Sequence, residues 1–163
     1  MKRLLFSLAI LILIGAGCTD IGKVPPSNNA PSAVAPASQS GAKLDLSGKG
    51  MERVPLSVFD NADLEELNVS NNRLTGALPS QIQHLQNLRI LDASSNEMTG
   101  VPAEIGQLSK LVELDLSNNK LTGLPFELGN LQQLRRLDLR GNDMSKQDLD
   151  TIRVKLKKTE ILE

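Results

Sequence analysis

Two side chains in this sequence have the types to do covalent chemistry: Cys18, its one cysteine, and His84, its one histidine. A thiol serves as a nucleophile, a soft metal ligand or the acceptor of a modifying group, and an imidazole carries protons near neutral pH. Catalysis by either requires company. A nucleophile must lie within hydrogen-bond reach of a base, and a His/Cys metal site needs further ligands of those types, which one His and one Cys do not supply. His84 falls between Ile82 and Leu85 with no acid at a fixed place around it, which makes it an exposed surface residue. There is no glycine-rich phosphate loop, and we expect no enzyme, no cofactor and no metal site. Polar residues of another kind recur instead: Asn72, Asn96, Asn119 and Asn142, and Asp92, Asp115 and Asp138, at intervals of 23 or 24. Recurrence spreads side chains along a repeating scaffold instead of converging them on a point, so the role expected of the asparagines is structural and that of the aspartates is recognition.

The elements that position these residues begin after a leader. "MKRLLFSLAILILIGAGC" has a basic start at Lys2 and Arg3, an apolar run from Leu4 to Ile14, and small residues up to Cys18, the layout of a secretory signal. The run is far shorter than the roughly 20 residues that span a bilayer. "IGAGC" resembles the lipobox of bacterial lipoproteins, with Gly15 where Leu is usual. That resemblance implies a diacylglyceryl group on the Cys18 thiol, cleavage before it and acylation of the new amino terminus. Two or three acyl chains hold a protein stably on a membrane. In bacteria that sort lipoproteins by the residue after the cysteine, the resemblance implies that Thr19 in place of Asp favours the outer membrane, on its periplasmic side or at the cell surface. We assign residues 1–17 to the signal peptide, 18–42 to the lipidated cysteine and a disordered tether rich in Pro, Ser and Ala, and 43–163 to the folded domain.

Lines begun at Gly41, Leu64, Leu88, Leu111 and Leu134 align the rest of the chain. The columns are Leu67/Leu91/Leu114/Leu137, Val69/Ala93/Leu116/Leu139, Asn72/Asn96/Asn119/Asn142 and Leu74/Met98/Leu121/Met144. This pattern, L-x-x-L-x-L-x-x-N-x-L, resembles the leucine-rich repeat family. The resemblance implies an α/β solenoid of about five repeats, with a short parallel concave β-sheet, an irregular or short-helical convex side and a C-terminal helical cap. The alternation L-x-L is strand spacing, with Leu114 and Leu116 inward and Glu113, Asp115 and Ser117 outward on the concave side. Each ladder asparagine, turned inward, pairs backbone groups that would otherwise be buried without partners. Pro55, Pro79, Pro102 and Pro125 start the convex segments, and Ile82, Ile105 and Leu128, then Leu85, Leu108 and Leu131, close the core. The one extra residue of the second repeat is expected as a convex bulge. Thin stacked layers suit branched aliphatics, which accounts for three Phe and no Tyr or Trp.

The ends differ. The first unit has Gly41 and Lys49 where the others have Leu and Asn, marking a weak or capping repeat. Its Leu44, Leu46, Met51 and Val54 have only the tether to cover them, so weak self-association is expected. The last unit places Ser145 to cap a helix holding Leu149, Ile152 and Leu156, with Ile161 and Leu162 as a final strand. On the concave side the outward rows are Lys43, Glu66, Ile90, Glu113, Arg136; Asp45, Asn68, Asp92, Asp115, Asp138; and Ser47, Ser70, Ser94, Ser117, Arg140. Aspartates on neighbouring strands about 4.8 Å apart repel by about 1 kcal/mol in water, so the face is acidic at its centre and basic at its last repeat. Glu66, Asn68, Asp92, Glu113, Asp115, Arg136, Asp138 and Arg140 form the candidate binding face, for a protein partner with a basic segment. The plainer alternative is that Leu-Asp-Leu-Ser is a common filling of these positions in the family, and that Arg136 and Arg140 neutralise Asp115 and Asp138. A formal net charge of −1 and the lack of stacking aromatics exclude a nucleic-acid partner and disfavour sugar binding.

Overall fold

The computed structural model describes residues 41–163; the leader, Cys18 and the tether as far as residue 40 lie outside the described residues. Strands β1 (Ala42–Asp45), β2 (Leu64–Asn68), β4 (Ile90–Asp92), β6 (Glu113–Asp115), β7 (Arg136–Asp138) and β8 (Glu160–Leu162) form one parallel sheet in that spatial order. Leu67, Leu91, Leu114 and Leu137 stand opposite one another from strand to strand, so each turn of the chain is one repeat. A parallel ladder needs a crossover between strands, and the crossovers here are single solenoid coils.

Each coil buries the leucines of its strand against the aliphatics of its convex segment. Leu111, Leu114, Leu116, Leu121, Leu128 and Leu131 of the fourth coil are all 1% exposed or less. The convex segments are 3₁₀ turns at Leu56–Asp60, Ser80–His84, Ala103–Gln107 and Phe126–Asn130. Each follows a proline with φ between −57° and −70°, whose carbonyl accepts the first i→i+3 bond, from Val58, Ile82, Ile105 or Leu128. Proline's fixed φ therefore sets the entry, and its missing N–H costs nothing there. The first coil has Asn61 where later coils have Leu85, Leu108 and Leu131, and its Phe59, two positions earlier, is fully buried.

The structure corrects several expectations. The sheet already includes Ala42, one residue before the expected start of the folded domain at 43, and Ala42, not Gly41, stands opposite Leu64, with a register shift before Lys43. The extra residue of the second repeat lies between Asn72 and Pro79, not in the convex 3₁₀ turn. That interval is seven positions, against six from Asn96 to Pro102. Its residues form the short strand β3 (Thr75–Gly76), paired in parallel with β5 (Glu97–Met98) on the flank of the solenoid, and Gly76 absorbs the detour at φ +69°. Ser145 occupies the start of helix α1 (Lys146–Lys155) without a side-chain cap; its carbonyl accepts the Leu149 N–H and its own N–H donates to Thr122. Leu149, Ile152 and Leu156 are buried as expected of the cap, and β8 extends the sheet. Val54 is 4% exposed, while Leu44, Leu46 and Met51 are only partly buried.

Candidate binding face on the concave sheet

Where each strand ends, the chain must turn through a corner whose backbone groups are buried. Asn119 shows how the corner is held. Its Nδ2 donates to the carbonyls of Leu116 and Ser117 in its own coil and of Ala93 in the coil before, and its Oδ1 accepts the N–H of Met98, also in the coil before. Asn96 and Asn72 repeat the arrangement one and two coils earlier. Asn142 bonds Leu116, Leu139 and Leu121 in the same way. Every ladder asparagine thus ties its coil to the preceding one. The first coil has no preceding coil among the described residues, and its Lys49 is exposed.

The residue just before each ladder position was missed by sequence reasoning. Gly48, Asn71, Ser95, Asn118 and Gly141 all have positive φ, between 53° and 71°. Only Gly, and less often Asn, adopts this left-handed conformation at low cost. The signal was present in the sequence: the column reads Gly, Asn, Ser, Asn, Gly, so the first Asn of each Asn-Asn pair makes the turn and the second holds it.

The central concave column also does structural work. Oδ1 of Asp45, Asn68, Asp92, Asp115 and Asp138 accepts the N–H of the residue two positions on, at 2.9–3.2 Å. This local bond ends the strand, and it leaves the second oxygen of each carboxylate for other partners. At Asp45 the Ser47 N–H holds the carboxyl below its ordinary pKa. Ser70 and Ser117, expected on the outward surface, are buried, and the Ser70 and Ser94 hydroxyls donate to Asn68 and Asp92. Ser70 and Ser117 are therefore withdrawn from the outward surface, while Ser47 and Ser94 remain half-buried.

Asp138 is likewise removed from the candidate face. Its side chain is 1% exposed, beneath the Arg140 guanidinium, which meets both carboxylate oxygens at 3.0 and 2.6 Å, and Arg136 at 3.3 Å. The Arg140 hydrogen bond, acting against burial, holds the Asp138 carboxyl below the usual carboxylate range. Both arginines pair with Asp138, two guanidiniums on one carboxylate, so the basic end of the face is compensated only in part. At the other end Lys43 pairs with Glu66 at 2.8 Å. Asp92, Glu113 and Asp115, in the middle, form no ion pair among the described residues. His84 is exposed on the convex side. Among the described residues no group of His, Cys, Asp or Glu is arranged to hold a metal ion.

A family profile described as a leucine-rich repeat region matches residues 67–162. A leucine-rich repeat protein of Leptospira interrogans is 44% identical over 66% of this chain and 27% of its own, with a TM-score of 0.63. The ectodomain of the Arabidopsis thaliana membrane receptor kinase GASSHO1/SCHENGEN3, solved in complex with Casparian strip integrity factor 2, is 35% identical over 74% of this chain and 15% of its own, with a TM-score of 0.62. Internalin C2 of Listeria monocytogenes shares the fold at 23% identity, over 74% of this chain and 51% of its own, with a TM-score of 0.62. The chain spans about a quarter of the Leptospira protein and less of the receptor. A search of curated proteins found no match.

Proposed function

We propose that this chain, which belongs to the leucine-rich repeat family, is a lipid-anchored interaction module that binds another protein through its concave sheet at a bacterial envelope. The observation that carries the binding reading is the state of the sheet's centre. Asp92, Glu113 and Asp115 present carboxylates that form no ion pair among the described residues, on strands held rigid by the asparagine ladder. Exposed groups on a rigid scaffold lose little entropy when a partner engages them. The complex formed by the receptor kinase ectodomain supports a protein partner by analogy. Lys2, Arg3, the apolar run and Cys18 support the anchoring part of this reading, and Thr19 supports the outer membrane in bacteria that sort lipoproteins by that residue.

Site-specific photo-crosslinking in the source cells tests the binding face. A benzophenone side chain at position 113, exposed on the concave side, is expected to form a discrete protein adduct that the same group at position 84, exposed on the convex side, does not. Adducts from 84 alone, or from neither, would reject the concave face as the binding surface.

A further inference from the structure

Among the outward positions of β1, β2, β4, β6 and β7, one is aliphatic. Ile90 is half-exposed at the start of β4, opposite Glu66 on one side and Glu113 on the other. Three adjoining hollows of about 120, 300 and 260 Å³ open on this face, and Ile90 lines all three. An apolar side chain at the junction of three hollows is a seat for a second apolar side chain, because contact there removes both from water.

The charges around that seat decide what kind of segment it fits. Glu66 is neutralised by Lys43, and Asp138 by Arg140 and Arg136. Asp92, Glu113 and Asp115, which share the hollows with Ile90, form no ion pair among the described residues. Arg136 lines one of the same hollows and Arg140 acts on Asp115 through space, but both are paired with Asp138, so four carboxylates face two guanidiniums and the centre stays acidic. The Ser94 and Ser117 N–H groups hold Asp92 and Asp115 by one oxygen each. Their second oxygens are therefore pre-positioned, and an incoming cation does not have to order them. On an extended segment, residues two apart face the same side, roughly 7 Å from each other. Two cations flanking an apolar residue at that spacing reach carboxylates on the adjoining strands.

We infer that the centre of the concave sheet recognises a partner segment of the form basic-x-apolar-x-basic, its apolar side chain seated on Ile90 and its cations on Asp92, Glu113 and Asp115. This rests on the concave face being the binding surface. The test pans a displayed library of random peptides against the full chain and measures selected peptides by fluorescence anisotropy. Selected sequences should carry the basic-x-apolar-x-basic pattern, and raising the salt should weaken them. They should bind about tenfold or more weakly to Ile90→Ser, the weight of one aliphatic side chain left in water. They should weaken similarly with Asp92→Asn combined with Asp115→Asn, a change that removes charge and keeps the turn, since Asn68 makes the same backbone bond. Circular dichroism of each variant confirms that the fold is kept. Selection of acidic or uncharged peptides, binding indifferent to these variants, or no selection at all would overturn the inference. A concave crosslink at position 113 would survive any of these results, so the two proposals fail separately.

Discussion

At the residue scale, the Asn-Asn pair divides its labour between a backbone conformation and a set of hydrogen bonds. Asn119→Ala would strand the Met98 N–H in a buried corner and take one of two donors from the carbonyls of Ala93 and Leu116, which Asn96 and Asn142 also bond. Leaving buried groups unpaired costs on the order of 1–3 kcal/mol, so thermal melting should drop clearly for Asn119→Ala and hardly at all for Lys49→Ala, whose side chain serves no preceding coil. Equal shifts would contradict the ladder. Asp138 provides a second residue-level outcome. Because its pKa is lower folded than unfolded, the stability it contributes is present above its ordinary value of 3.8 and is lost as pH falls through the lower folded value. Denaturant titrations over that acid range should show a shallower loss of stability in Asp138→Asn than in the parent chain. An unchanged slope would mean that the Arg140 pair does not persist in solution.

At the scale of elements, the convex side is set by how closely successive 3₁₀ turns approach. A Cβ placed on Gly106 would lie well inside contact distance of the Glu127 backbone carbonyl in the next turn, and backbone cannot swing aside. At Gly123 the corresponding atom would meet only the Asp148 side-chain carboxylate, which can rotate away. Gly106→Ala should therefore cost about 1–3 kcal/mol by overpacking and Gly123→Ala much less, as urea unfolding would show. Similar losses would place the coils further apart than described. The Gly of "EIGQ" carried no conformational signal in the sequence, since its need comes from an atom 21 positions away. The prolines were legible because their effect is local.

At the scale of the molecule, the two ends differ in how well they close the stack. Helix α1 covers the last convex turn and β8 extends the sheet, whereas β1 pairs only with β2 among the described strands and leaves Leu44, Leu46 and Met51 partly exposed. An edge strand beside an apolar rim invites pairing with another chain. A domain beginning at Gly41 should self-associate weakly at high concentration by light scattering, and restoring the preceding residues should reduce it. A clean monomer would show that the first coil is an adequate cap and would remove the physical motive for a self-assembling role. Anchoring has its own outcome. Cys18→Ser should abolish labelling with radioactive palmitate and change processing of the precursor, and labelling that survives would reject lipidation at this residue.

Period and column type determine the coil, its strand and its asparagine from sequence alone, because each depends on residues within one repeat and the same solution recurs in the next. The line of Leu67, Leu91, Leu114 and Leu137 needed no structure for that reason. Which concave groups remain free for a partner could not be read in this way. Asp92 and Asp138 occupy one column and carry the same charge, yet one forms no ion pair and the other is buried under two arginines. The serines beside them alternate along the strand as surface residues do, and the corner buries Ser70 and Ser117 all the same. Periodicity specifies the side of the sheet from which a residue departs. Whether its side chain ends in water depends on neighbours from other coils and on the backbone N–H it finds first, and the tertiary structure alone brings those together.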